Sequence, residues 1–411
     1  MQPPTMSRRQ THVERLRQIP SGIWALGFVS MLMDISSEMI HALLPVYLVT
    51  VMATSMVTVG IIEGVAEATA SIVKVFSGAL SDWLGKRKFL AIIGYGLAAF
   101  TKPIFPMAAS VSWLVAARFI DRIGKGIRGA PRDALVADIA PPHLRGASFG
   151  LRQSLDTMGA FLGPAIAIAL MWLTVNDFLL VFWVAVIPAF VALGLIIFAV
   201  QEPPRAAGLR QVRFPLGWTE LRNLGRSYWL VTGFATVFAL ARFSEAFLIL
   251  RAQAMGLPLV LVPMVLVVMN VVYAAAAYPA GVLSDRFNRL TILIIGFALL
   301  IAADVTLALA SGLGVVALGV ILWGMHMGFT QGLLATLVAD TAPPELRGTA
   351  YGAFNVLGGI AALLASVMAG VLWDGFGPTA TFLAGAGFTA VSLIGLLAVR
   401  KRLPDLGSAA T

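Results

Sequence analysis

The ten residues Ala137-Asp138-Ile139-Ala140-Pro141-Pro142-His143-Leu144-Arg145-Gly146 return two hundred positions later as Ala339-Asp340-Thr341-Ala342-Pro343-Pro344-Glu345-Leu346-Arg347-Gly348. A second pair, Gly78-Ala79-Leu80-Ser81-Asp82 and Gly281-Val282-Leu283-Ser284-Asp285, keeps almost the same offset. Two separate segments at one spacing mean that whole halves correspond, so the chain must fold as two like units. What lies between the repeats sets the solvent. The chain is 59% hydrophobic and 12% charged, too apolar to hide its surface inside a water-soluble globule. The stretch from Phe178 to Val200 is uncharged and, as a helix, long enough to cross about 30 Å of hydrocarbon. Strand alternation is absent, so a bundle of helices is the way to satisfy the backbone in lipid.

Apolar runs fall at 22–51, 57–81, 89–110, 112–137, 147–172 and 178–200, then at 227–251, 259–283, 290–311, 313–338, 348–372 and 379–399. The expected fold is an all-α membrane protein with twelve transmembrane helices in two pseudo-symmetric six-helix bundles. Its divisions are an N-terminal segment 1–21, a first bundle 22–200, a linker 201–226, a second bundle 227–399 and a tail 400–411. The run from Gly22 to Met52 is too long for a removable signal peptide and carries Asp34 and Glu38, so it reads as a retained first helix.

The formal charge of +9 is laid out by topology. Arg8, Arg9, Arg15 and Arg17 precede the first run, Lys86, Arg87 and Lys88 follow the second, five arginines from Arg205 to Arg226 fill the linker, and Arg400, Lys401 and Arg402 close the chain. The alternate loops hold little beyond Lys102 and Arg251. The positive-inside rule therefore places both termini and the linker in the cytoplasm of a bacterial-type inner membrane, and the alternation argues against a nucleic-acid partner. Without cysteine the chain has no disulfide and no thiolate metal site.

The loop after the second run reads Gly78-Ala79-Leu80-Ser81-Asp82-Trp83-Leu84-Gly85-Lys86-Arg87-Lys88. A small residue permits close helix approach, an aspartate sits at a helix end, and a glycine makes the turn before a cationic anchor. With its second copy, Gly281 to Arg289, the loop resembles the Gly-x-x-x-Asp-Arg-x-Gly-Arg-Lys motif of the major facilitator superfamily. Trp83 replaces the first motif arginine, which Arg286 restores in the second copy, where Asn288 replaces the glycine. The resemblance implies a cytoplasmic gate between the halves, formed by Gly78, Asp82, Gly85, Lys86, Arg87, Gly281, Asp285, Arg286 and Arg289. It also implies that Arg118, followed by Gly124, Gly126 and Pro131, is the fourth-helix arginine associated with proton coupling. Gly150, Gly159, Gly163 and Pro164 resemble the family's antiporter pattern in the fifth helix, although Ala167 and Ile168 stand where that pattern ends in two glycines. Generic small-residue packing gives the same spacing.

Ionisable residues inside a bilayer cost several kcal/mol and turn toward a cavity or a partner. They crowd the first half. Asp34, Glu38 and His41 share one face of the first helix, Glu63 and Glu67 lie a turn apart on the second, and Arg118, Asp121, Arg122, Lys125 and Arg132 form a stripe on the fourth. Arg128 adds to the fourth helix, and Arg152 and Asp156 stand on the fifth. In the second half Ser244-Glu245 corresponds to Ser37-Glu38, with Arg242 beside it, so both glutamates are expected near the midplane. The plain alternative is an ion-pair lattice, with Asp121 serving Arg118 and Lys125, Asp156 serving Arg152 and Lys74 serving Glu67. Glu63 and Glu67 repel each other if both ionise, unless a cation intervenes.

Asp34, Glu38, Glu63, Glu67 and Arg118 are thus the proton-coupling candidates. His41, Asp121, Arg122, Lys125, Arg128, Arg152, Asp156, Arg242 and Glu245 are the substrate-cavity candidates. The leading expectation is proton-coupled export of a small organic molecule by alternating access, nearest to the drug:proton antiporter branch, by a monomer without cofactor or resident metal. A permease for an organic anion or zwitterion is the second reading, and transport of a divalent metal ion, held by Asp34, Glu38 and His41, is the third. No HExxH, Walker loop, nucleophile elbow or dinucleotide fingerprint supports an enzyme.

Overall fold

The computed structural model describes residues 18–141, 144–203, 217–286, 288–343 and 346–400. It is all helical among these. In chain order the α-helices are α1 (Ser21–His41), α2 (Leu44–Thr50), α3 (Met56–Leu84), α4 (Arg87–Thr101), α5 (Ile104–Met107), α6 (Val111–Ile139), α7 (Arg145–Leu173) and α8 (Phe178–Phe198). After the short α9 (Trp218–Arg222) come α10 (Gly225–Ala241), α11 (Ala246–Ala254), α12 (Met264–Arg286), α13 (Arg289–Ala308), α14 (Leu313–Thr341), α15 (Arg347–Phe376) and α16 (Pro378–Arg400). Most of the linker, the N-terminal arginines, the tail and His143 lie outside the described residues, as do the side chains of Asp82, Asp285 and Arg286.

Local chemistry sets several ends. Ser55 accepts from the Thr58 backbone N–H at the start of α3, Asp177 from Leu180 at the start of α8, and Asn288 from Leu290 at the start of α13. Gly85 closes α3 with φ +64°, a left-handed conformation that suits a residue without a side chain. The runs expected at 22–51 and 227–251 are each broken. Pro45, lacking an N–H, starts α2 afresh after Ala42 and Leu43. Arg242 to Glu245 leave the helix because the Ser244 N–H bonds to Ser366 Oγ of α15 at 3.1 Å.

Eleven helical segments are long and apolar enough to cross a membrane, rather than the twelve expected. The missing one is α6. It is 29 residues long, but Arg118, Asp121, Arg122, Lys125, Arg128, Arg132 and Asp133 make it too polar to qualify by composition. Its charged stripe is covered by neighbouring helices, with Arg118, Asp121, Arg122 and Arg128 all buried, while Trp113, Val115 and Phe119 present an exposed apolar face. Gly94 of α4 and Gly124 of α6 bring the backbones so close that a Cβ on Gly94 would stand 2.7 Å from the Gly124 carbonyl oxygen.

The halves meet most closely along α3 and α15. Gly64 would place a Cβ 2.9 Å from the Leu363 carbonyl oxygen, Gly359 would place one 3.1 Å from Ser71 Cβ, and Gly60 and Gly370 run directly against Ser366 and Met56. At one end of this seam, Asp374 of α15 accepts from the backbone N–H groups of Met56 (3.1 Å) and Val57 (3.0 Å), the first two of α3. With Ser55 on Thr58, three of the four free donors at that helix start are satisfied.

Candidate functional site

Between the halves lies a cavity of about 400 Å³. The first half lines it with Glu38, His41, Glu67, Ser71, Arg122 and Lys125, and the second with Arg242, Glu245, Phe238, Phe243, Trp323 and Phe354 among others. One wall is charged and the other chiefly aromatic. The broken segment Arg242–Glu245 brings its side chains to the cavity directly, and Glu38 and Glu245, the pair matched by the internal repeat, both line it.

Behind the charged wall the ionisable groups are connected. His41 Nδ1 lies 3.4 Å from Glu38 Oε2 and its Nε2 3.5 Å from Glu63 Oε2, while Arg118 Nη2 donates to that same Glu63 oxygen at 2.8 Å. Glu63 and Arg118 are fully buried. The chain Glu38–His41–Glu63–Arg118 therefore runs from the cavity into the first bundle. Glu67, the other member of the adjacent glutamates, is held by Arg122 at 3.0 Å. Each glutamate thus has its own arginine, which relieves their mutual repulsion.

The pairing differs from the simple lattice read along the sequence. Asp121 serves neither Arg118 nor Lys125. It takes Lys102 Nζ at 2.9 Å, and Lys102 also donates to Ser37 Oγ at 3.0 Å. Lys102 was assigned to a loop, yet it is 2% exposed. Arg251, assigned to another loop, is likewise buried, donating to the carbonyls of Leu307 and Ala310 at the end of α13. Glu67 is served by Arg122 in place of Lys74, which is exposed. Asp156 is shared between Arg152 (3.4 Å) and Arg132 (3.6 Å), with Asp133 3.2 Å from Arg132. Arg128 sits over the Tyr95 ring at 5.0 Å. Asp34 faces this second cluster, within electrostatic reach of Asp156, Lys125 and Arg128. Asp34, Glu63, Arg118, Asp121, Arg128, Arg152 and Asp156 are not among the residues that line this cavity. Among the described residues no group of three or more histidines, aspartates or glutamates is arranged to hold a metal ion.

The fifth-helix glycines press on the acidic helix. A Cβ on Gly159 would stand 2.5 Å from the Met31 carbonyl oxygen and 3.0 Å from Asp34 Cβ, and one on Gly163 would stand 2.7 Å from Glu38 Cβ. Gly150 of the same motif has open space around it. Pro164 is buried within α7.

The repeated motifs also meet within each half. Arg87, in the first gate loop, pairs with Asp138, in the repeated ten-residue segment, and Arg289 pairs with Asp340 in the second half, each pair 51 residues apart. The Arg87 and Lys88 N–H groups further donate to Glu202, at 2.7 and 3.2 Å. Gly78 lies against Ala130 of α6, and Lys86 precedes the first residue of α4.

Two helical halves of membrane-spanning length around a central charged cavity define the architecture of a secondary transporter. The family model of the Major Facilitator Superfamily matches residues 26–366, and the chain belongs to that superfamily. An MFS-type transporter of Methanocaldococcus jannaschii is 32% identical over 398 residues, covering 94% of this chain and 97% of the relative. The quinolone resistance protein NorA of Staphylococcus aureus is 29% identical over 144 residues, 35% of this chain and 37% of NorA. Among solved structures, an inward-facing, unoccupied bacterial homologue of the human lysosomal transporter Spinster superposes with a TM-score of 0.77 at 15% identity, covering 98% of this chain and all of that one. A peptide transporter of the POT family gives 0.78 at 14% identity, over 95% and 96%. These structures share the fold. The protein is a secondary transporter of a small molecule, working through an alternating-access fold, and not an enzyme.

Proposed function

We propose that the protein is a monomeric, proton-coupled exporter of small organic molecules in a bacterial-type cytoplasmic membrane, with both termini and the linker in the cytoplasm. Its helices form two six-helix bundles, with α6 as the twelfth span, its charged stripe turned inward and Trp113, Val115 and Phe119 turned outward. The observation that carries this reading is the position of Glu38. It lines the cavity, touches His41, and through it reaches Glu63 and Arg118, so a carboxyl group exposed to cargo is wired to a buried, fixed charge pair.

A carboxyl group in a poorly hydrated cavity takes a proton more readily than one in water, and gives it up when cations or water approach. One proton moving inward across about 100 mV supplies about 2.3 kcal/mol. Glu38 takes that proton while the cavity faces outward and releases it to the cytoplasm, and cargo competes for the vacated carboxylate. The contact of Gly159 and Gly163 with the Asp34–Glu38 turn supports this, since movement of α7 shifts the acidic face directly. The seam between α3 and α15, pinned by Asp374 at the face opposite the basic loops, supports an inward-facing state like that of the Spinster homologue. The stretch shared with NorA supports export of an organic compound.

A second reading, a permease for an organic anion or zwitterion, rests on Lys125 and Arg242. Both line the cavity, from opposite halves, and among the described residues neither has a carboxylate within 4.0 Å. Proteoliposomes under a pH gradient distinguish the two. Asp34→Asn or Glu38→Gln abolishes gradient-driven transport if coupling runs through these acids, whereas undiminished exchange in both variants removes the proton-coupled reading.

A further inference from the structure

The second half holds two ionisable groups that the transport cavity does not use. Asp304 of α13 is 0% exposed, and neither of its carboxyl oxygens has a hydrogen-bond partner among the described residues. His326 of α14 is also 0% exposed, and neither ring nitrogen has a hydrogen-bond partner among the described residues. The two helices pack antiparallel, with Gly296 against Thr330 and Gly319 against Leu307. That register sets Asp304 level with Trp323, one helical turn from His326.

Both groups lie directly behind the aromatic wall. Gly385 of α16 has Asp304 Oδ2 and the Phe243 ring on the same side, at 2.6 and 3.1 Å from where a Cβ would stand. The Trp323 ring meets His326 edge-on at 5.3 Å, and Phe238 meets it at 6.5 Å. Phe238, Phe243 and Trp323 all line the cavity, so single aromatic rings separate it from the two buried groups. Phe243 stands in the unwound stretch Arg242–Glu245, held to α15 by the Ser244 N–H bond to Ser366, and its ring packs against those of Phe247, Trp323 and Phe382, so opening it means turning one ring out of an aromatic cluster rather than melting a helix.

A carboxylate at this position, with no donor or cation in contact among the described residues, is strongly disfavoured. The acid therefore carries its proton in this state, and an intramembrane acid without a structural partner marks a functional site. We propose that Asp304 is a second proton-binding site of the protein, with His326 as its exchange partner and Phe243 as the shutter between this site and the cavity. The groups that face it are few. α14 presents His326, Tyr273 of α12 lies within electrostatic reach of Arg242, the described side chains of α16 include no titratable group, and Arg242 and Glu245 line the cavity with Phe243. When the ring turns aside, the proton leaves Asp304 for the cavity and the carboxylate formed faces the unpaired Arg242. While the ring is still aside, a proton from the cavity is taken up by the imidazole and handed to the carboxylate, and the ring then closes over the neutral acid.

Infrared spectroscopy of the full-length protein in lipid reads this without a transport substrate. The expected result is a protonated-carboxyl band that is lost in Asp304→Asn, weakens reversibly as pH is raised, and shifts in heavy water about tenfold more slowly in His326→Phe. Carbodiimide labelling of the wild type, read by mass spectrometry at Asp304, gives the same answer if Asp304→Asn does not fold. No band lost in Asp304→Asn, or no labelling at Asp304, shows a group that is ionised or sealed from the cavity and overturns the proposal. A band present at every pH and inert to heavy water shows a sealed structural acid and overturns it equally. Either failure leaves the role of Glu38 untouched.

Discussion

The clamp of Asp374 on the start of α3 joins the two halves at one face through a single side chain, so its removal has a calculable effect on the balance of states. Asp374→Ala deletes two bonds to backbone N–H groups, of 3.1 and 3.0 Å, that cross between the halves. Loss of a capping side chain costs about 1 kcal/mol, with a range of about 0.5–2. Asp374 is exposed, so solvent compensates the freed donors and about 1 kcal/mol is the appropriate figure. That corresponds to about a five-fold shift in population toward the state in which this face is open. The chain has no cysteine, so spin labels can be placed without background. Val175 and Leu309, both exposed in turns at this face and in opposite halves, suit Val175→Cys and Leu309→Cys. Double electron–electron resonance on the labelled pair should show a longer distance population growing about five-fold in Asp374→Ala. An unchanged distribution would falsify the clamp as a determinant of state, because the Gly60, Gly64, Gly359 and Gly370 seam alone would then hold the face shut.

The other consequences are simpler to measure. Arg118→Met leaves Glu63 buried without its arginine and should destabilise the protein by about 3 kcal/mol or more, read as a fall in melting temperature, while replacing both partners with apolar residues recovers much of it. Gly163→Val drives a side chain into Glu38 and the Ile35 carbonyl and should cost about 1–3 kcal/mol and impair transport, whereas Gly150→Ala meets nothing and is neutral or slightly stabilising. Asp340→Asn removes a half-exposed partner of Arg289 and should change the melting temperature little, consistent with about 0–1 kcal/mol for such pairs.

Much of the architecture is legible in the chain because membrane folding is a problem of length, hydropathy and repetition. The duplicated segments point to two halves, and the spacing of Glu38 and Glu245 identifies two residues that do line the cavity. The pairing of buried charges was not legible, for a physical reason. Helical periodicity tells which residues share a face, but a long side chain chooses its partner across helices. Lys102 reaches Asp121 from the end of α4, and Glu63 takes Arg118, although sequence proximity suggested Asp121 for that arginine. The same limit hid the Arg87–Asp138 and Arg289–Asp340 pairs, although their shared separation of 51 residues in both copies was a usable signal. The polar stripe of α6 shows another limit: the run at 112–137 is expected as a span, yet its charges keep it out of the helices apolar enough to cross by composition, and the burial of those charges against α3 and α4 accounts for them.

Alternating exposure of the cavity is the claim on which the rest depends, and a single cysteine tests it. Ala362 lines the cavity and accepts a small substitution, so Ala362→Cys in sealed vesicles can be challenged with a membrane-impermeant thiol reagent from each side in turn. Reaction from both sides is expected, with the rate from the face that carries Asp374 rising in Asp374→Ala. Reaction from one side only, under every pH gradient and in both backgrounds, would contradict a cavity that changes its opening.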